Sequence, residues 1–171
     1  LLHEIVPSVR RVLALYDPAD ASPRQGVAAA RKAATALGID LVERKVQTAG
    51  EITESLKGLD QVGALLGVPG GITSNQYEAI IQAANKRQLP TIFHARTRST
   101  RDALVTYGAS DIDIARQSAR LLGKILKGAN AGDLPVERPT TLRFVINLKI
   151  AKALGLTIPP AVLARADEVI Q

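Results

Sequence analysis

The sequence contains no cysteine, no methionine and no tryptophan, and its aromatic residues are three tyrosines and two phenylalanines. Without cysteine there are no disulfides, no thiolate nucleophile and no thiolate metal site, and the redox compartment stays open. The absence of methionine even at position 1 points to a processed chain, a fragment or an engineered product, so the N-terminus is treated as artificial. No apolar run approaches the roughly 18 residues that a membrane-spanning helix needs. The opening "LLHEIVPSVRR" also lacks the charged-then-apolar order of an export signal.

What is present describes a globular α/β protein. A chain of 171 residues, 46% of them hydrophobic, suffices for one domain with a sizeable core. The formal net charge of +6 invites a nucleic-acid reading, and clustering is its test. Only "RTRSTR", residues 96–101, is dense in cations, with Phe93 as the one aromatic nearby and no binding motif around it. Nucleic acid is therefore not expected as a partner, and that stretch reads as a solvated loop.

From residue 8 onward, short apolar runs alternate with helix-length amphipathic stretches, the pattern of helices packed on both faces of a mostly parallel sheet. Val12 to Tyr16 is apolar without alternation, as suits a strand covered on both faces. Val27, Ala30, Ala34 and Leu37 form a helical stripe that ends near Gly38. "DLVERKVQ" carries the charge of an edge strand. "GEITESLKGL" reads as a short helix and "QVGALLGVP" as a buried strand. Tyr77, Ile80, Ile81 and Ala84 recur at helical spacing until Pro90 closes that segment. "PTIFHA" and "ALVTYG" are further strands, and the helix after them places Ala115, Ala119, Leu122 and Leu126 on one face. "KGANAGDLPVERP" is turn-rich and long enough to cross between lobes. In the tail, Phe144 to Ile146 is a brief buried strand. Leu148, Ala151, Leu154 and Leu156 follow near the helical period, Gly155 offers a left-handed stop and Pro159-Pro160 forbids continuation. This tail cannot bury both of its faces alone and must dock on the earlier sheet.

Three strand ends lead into helices that open on a side-chain cap. Ser22 and Gln25 have capping-box spacing with Pro23 at the first helical position, Thr73 and Gln76 repeat it, and Ser110 and Asp113 approximate it. In an open parallel sheet the carboxyl ends of the strands line one edge, where ligands bind, and helix N-termini there suit a carboxylate or phosphate. "GVPGG" matches neither phosphate-loop pattern, so its glycines suit close backbone approach instead. Tyr16 and Tyr107 end buried strands and could wall a pocket or simply fill the core. His94 beside Arg96 could hold an anion, against the alternative of a surface ion pair. His94 has no second histidine for a metal, and no nucleophile elbow or carboxylate pair is apparent, so neither catalysis nor a cofactor is expected.

"KILKGANAGDLPVERPTTLRFVINLKIAKALGLTIPPAVLARADEVI" resembles the characteristic ending of the substrate-binding proteins of a group of bacterial ABC transporters, which have the type 1 periplasmic binding protein fold. "VRRVLALYDPADAS", "KAATALGIDL" and "LPTIFHARTRSTRDALVTYG" are similar to earlier parts of the same family, so the resemblance covers essentially the whole chain. It implies two lobes closing on a solute. Residues 1–96 correspond to the C-terminal lobe, 97–136 to a crossover strand and helix of the N-terminal lobe, and 137–171 to a return segment packing on the C-terminal lobe. The first lobe's opening portion and an export signal are what such a comparison finds missing.

The resemblance places Tyr16, Asp17 and Ser22, the turn Pro69, Gly70, Gly71, Thr73 and Ser74, and His94 and Arg96 along the solute cleft, with Tyr107 facing them from the other lobe. Asp102-Ala103 stands where the family has paired glycines, Ala109 where it has proline, and Ala115 where it has an aromatic. The implied function is capture of a small solute, an amino acid or another small carboxylate, for an ABC permease in a periplasmic or lipid-anchored extracytoplasmic setting. Ser22, Thr73 and Arg96 are expected to grip its anionic group. The alternatives are the effector domain of a transcription regulator and a small α/β enzyme. With no sheet for Ala103 to Tyr107 and no cover for the Leu122/Leu126 face, the chain alone is expected to form a homodimer.

Overall fold

The computed structural model describes residues 1–171, and its centre is a sheet of seven strands. A four-residue helix, α1 (Leu2–Ile5), precedes β1 (Arg11–Tyr16). Then come α2 (Ala21–Ala36), β2 (Asp40–Lys45), and α3 (Ala49–Ser55), which runs on as a 3-10 turn over Leu56–Gln61. β3 (Ala64–Gly67), the one-turn α4 (Gly71–Ser74), α5 (Tyr77–Lys86) and β4 (Thr91–Phe93) follow. β5 (Val105–Ala109) and α6 (Asp111–Leu126) lead through a second 3-10 turn at Ala131–Asp133 to β6 (Leu142–Asn147). The tail is α7 (Leu148–Ala153), α8 (Pro160–Leu163) and β7 (Glu168–Ile170).

The spatial order is β2-β1-β3-β4-β5-β6-β7. The first five strands by sequence are all parallel, β6 runs antiparallel to β5, and β7 is parallel to β6. β1 sits inside the sheet, and its uninterrupted apolar run is buried from Val12 to Tyr16, as both faces require. β2 is the edge strand its charges suggest, covered by a bidentate pair from Arg31 on α2 to Glu43, at 2.8 and 2.9 Å.

One face carries the largest cluster, in which Leu13, Leu15, Leu65 and Phe93 of the strands meet Ile52, Tyr77, Ile80, Ile81 and Ala84 of α3 and α5. All four residues of the α5 stripe are buried. On the other face α2 packs Val27 against Ala14, Tyr16 and Val68, while Leu37, at the end of the expected stripe, is largely exposed. The tail docks as its two uncovered faces demand: Phe144 and Ile146 join Leu104, Val105, Ala151, Ile158 and Val162 in a second cluster. Gly155 takes φ +66°, the left-handed stop that ends the segment begun by α7, and Pro160 opens α8. Asn147 caps α7 by accepting from Ile150 N at 3.2 Å and donates to Arg101 O at 3.1 Å, tying the tail to the loop before β5.

One expectation is corrected here. Ala103 to Tyr107 does not lack a sheet: Val105 pairs with Ile92 of β4 on one side and Ile146 of β6 on the other, so this strand is interior. Thr91 Oγ1 fixes the local geometry by accepting from Leu104 N at 3.1 Å. Consequently Tyr107 stands in the same sheet as β4, the strand that ends one residue before His94. The expectation for α6 is met, since it buries none of its residues, and Leu122 and Leu126 remain 55% and 79% exposed. It is tied to the following linker, where Glu137 accepts from Gln117 Nε2 at 2.7 Å and pairs with Arg120.

Candidate functional site

The carboxyl ends of β1, β3, β4 and β5 form a single edge, and the side chains expected at a site are distributed along it in three different ways. At β1, Tyr16 is buried among Ala14, Val27 and Val68 and acts as core. Asp17 shapes the loop after it by accepting from Ala19 N at 2.8 Å. The cap of α2 is Asp20, whose carboxylate accepts from Ser22 N at 3.0 Å; Ser22, expected as the cap, lies exposed inside the first turn. Asp20 sits one residue before the helix and satisfies an orphan N–H from there, which Ser22 cannot do from within.

At β3 the expected cap is again corrected. α4 begins after Gly70, and Thr73 lies within it, 1% exposed, with its hydroxyl 3.0 Å from Val68 O and 3.1 Å from Gly70 O. Its proton is engaged inward, so Thr73 shapes the turn and offers almost no surface to a solute. Pro69, Gly70 and Ser74 are half-buried and Gly71 is exposed. Ser110, the third expected cap, does cap α6, accepting from Asp113 N at 3.3 Å.

At β4 and β5 the backbone sets the geometry. A side chain on Gly108 would place its Cβ 1.5 Å from His94 O, so β5 can run against the end of β4 only because residue 108 is glycine. Beyond His94, the cation-rich stretch is an ordered knot: Thr100, 1% exposed, donates to Ala95 O at 2.8 Å and accepts from Thr97 N at 2.8 Å. This knot holds Arg96 next to the sheet edge, where its guanidinium lies 3.5 Å from Glu168 of β7.

Two openings result. On one side of the edge, a polar pocket of about 270 Å³ is lined by Arg96, Arg143, Asp111, Glu168, Ser110 and Gly108, with Ala109, Ile112 and Val145 as its apolar part. Arg143 and Glu168 carry no local sequence signal of a site. Arg143 is the second residue of β6, directly opposite Gly108, a pairing that only the antiparallel register reveals, and Glu168 belongs to a three-residue strand. On the other side, an apolar groove of about 680 Å³ runs over Leu66 and Ile92 along the small residues Gly26, Ala29, Ala30 and Ala33 of α2. Pro69, His94 and Tyr107 stand at its end nearest the strand ends. These three expected residues are therefore brought together, Arg96 is placed in the other opening, and Tyr16, Asp17, Ser22 and Thr73 are in neither. Burial holds the His94 imidazole below its ordinary 6.5, with the Asp111 carboxylate pulling weakly the other way.

Residues 1–170 match the family described as ABC transporter substrate binding protein. The chain belongs to that family. A curated relative, the tyrosine-binding protein of Clostridioides difficile, is 20% identical over 157 residues, 91% of this chain and 46% of that protein. A conserved domain protein from Vibrio cholerae superposes with a TM-score of 0.88 at 28% identity, covering 98% of this chain and 57% of the other. An ABC domain from Streptococcus pneumonia, solved in complex with L-Trp, superposes with a TM-score of 0.89 at 24% identity, covering 99% and 58%. The chain thus spans about half the length of the relatives it matches, and its fold is that of the periplasmic binding proteins.

Proposed function

We propose that the chain binds a free amino acid at the carboxyl edge of its sheet, as part of the solute-binding component of an ABC import system acting outside the cytoplasm on behalf of a permease. The observation that carries this reading is the composition of the polar pocket: two guanidinium groups, Arg96 and Arg143, face two carboxylates, Asp111 and Glu168, beside the N-terminus of α6. A lining of both signs suits a zwitterion, whose carboxylate and ammonium each find a partner, better than it suits a simple anion. The relatives named for tyrosine and solved with L-Trp agree in kind. Of the expected gripping groups, Arg96 is retained and Ser22 and Thr73 are not. No enzymatic step is assigned, because the edge presents no activated nucleophile or acid-base pair.

The lobe division follows in altered form. Residues 1–109 and 142–170 share one sheet, while α6 and its linker, with no residue in that core, are assigned to the opposite lobe across the cleft. Removed from such a partner surface, the apolar side of α6 is expected to pair with a second copy, and a lone lobe is expected to bind its solute weakly. A thermal-shift screen of amino acids and small acids tests the solute class. Arg96→Ala, which removes charge-assisted hydrogen bonds worth about 1.5 to 3 kcal/mol, should weaken the best hit roughly 10- to 150-fold by calorimetry; unchanged affinity rejects the assignment.

A further inference from the structure

The hydrogen bonding of His94 fixes what that residue can recognise. Its Nδ1 lies 3.4 Å from the Tyr77 hydroxyl, and the same hydroxyl lies 3.0 Å from Val68 O. A backbone carbonyl can only accept, and a phenol has one proton to give. Tyr77 stays a neutral phenol because burial pushes its pKa up. Its proton goes to the closer acceptor, Val68 O, so the contact with His94 holds only when Nδ1 carries the hydrogen and donates to the phenol oxygen. A neutral imidazole has one N–H, and Nε2 is then a bare lone pair. Nε2 makes no hydrogen bond within the protein, and His94 lines the apolar groove beside Pro69 and Tyr107.

We infer that Tyr77 locks His94 as the Nδ1–H tautomer, so that Nε2 accepts a hydrogen bond from an N–H or O–H donor on the side chain of the solute. His94 is then a specificity-determining residue and not the anion holder that its neighbour Arg96 suggested, since a lone pair repels a carboxylate. A charged group would be costly in the apolar groove that His94 lines. The donor expected at His94 is therefore neutral and carried on an apolar body, as in a phenol or an indole. This inference rests on the amino-acid reading above.

The first test needs no solute. The chain has two histidines, and His3→Gln leaves one, so a long-range proton–nitrogen spectrum of the imidazole at neutral pH reads the tautomer directly. The expected result is a protonated-type Nδ1 and an unprotonated-type Nε2, reverting toward the Nε2–H form in Tyr77→Phe. An Nε2–H pattern in the parent overturns the inference. The second test titrates L-tyrosine and L-phenylalanine. A site built around a bare acceptor should favour L-tyrosine by about tenfold or more, with the Nε2 resonance moving as the complex forms. Equal affinity, or a stationary Nε2 while other resonances report binding, overturns the role in recognition. Failure of both to bind, where the screen finds another amino acid with no side-chain donor, overturns the role of His94 and leaves the proposed function standing; failure of every amino acid overturns the proposed function itself.

Discussion

Gly108→Ala is the most severe single-atom change that the geometry identifies. The added Cβ would lie 1.5 Å from His94 O and 2.7 Å from His94 C, both backbone atoms that no rotamer change can clear. Reaching ordinary van der Waals separation requires β5 to retreat by about 2 Å from the end of β4. That retreat is opposed on the far side, where Gly108 pairs with Arg143 and Tyr107 with Phe144 in β6. Overpacking against soft neighbours costs about 1 to 3 kcal/mol, so an obstacle made of backbone should reach about 3 kcal/mol or more. For a domain of this size that corresponds to a fall in Tm of roughly 6 to 12 °C. Urea and thermal unfolding followed by circular dichroism measure it. Gly123→Ala is the control: its Cβ meets nothing within 4 Å in the interior of α6, so the substitution should be neutral or stabilising by up to about 1 kcal/mol. A Gly108→Ala protein within about 0.5 kcal/mol of the parent would show that the close approach at His94 is not what positions the edge.

Other perturbations probe other links. Asn147→Ala removes both the α7 cap and the bond to Arg101 O from a residue 6% exposed, and should cost about 2 kcal/mol by chemical unfolding. Because burial lowers the His94 pKa in the folded state, the unfolded chain binds its proton first; stability is complete above the ordinary 6.5 and declines as pH falls toward the folded value. His94→Gln should flatten that part of the pH-stability curve, before the carboxylates begin to titrate, and an unchanged slope would reject the cause. Light scattering should detect dimers that Leu122→Gln combined with Leu126→Gln dissolves, the two side chains being 55% and 79% exposed on the unpacked α6; a parent that is monomeric at tens of micromolar contradicts this.

Elements with uniform burial were plain in the sequence. Val12 to Tyr16, the Tyr77 to Ala84 stripe and the tail from Phe144 to Gly155 each carry a period or an apolar run that only one kind of element can satisfy, and each formed as read. Caps were less legible, because Asp20 and Ser22 are both good cap residues two positions apart and the sequence does not say where the strand lets go of the chain. Thr73 is ambiguous for a related reason: the side chain that bends the turn after β3 carries the same atoms as one that caps a helix. The polar pocket was half visible. Arg96 could be named from its place after a strand, but Arg143 and Glu168 join it through pairings of β6 with β5 and β7, which depend on register between distant segments.

The central claim is that an amino acid binds at the carboxyl edge between Arg96, Asp111, Arg143 and Glu168. It is tested most directly by recording amide spectra of the labelled protein while L-tyrosine and L-tryptophan are added to millimolar concentration. The account predicts saturable shifts centred on His94, Arg96, Gly108, Ser110, Asp111 and Arg143, which Arg96→Ala weakens strongly. No shift with either amino acid, or shifts centred on α7 and α8, would contradict it.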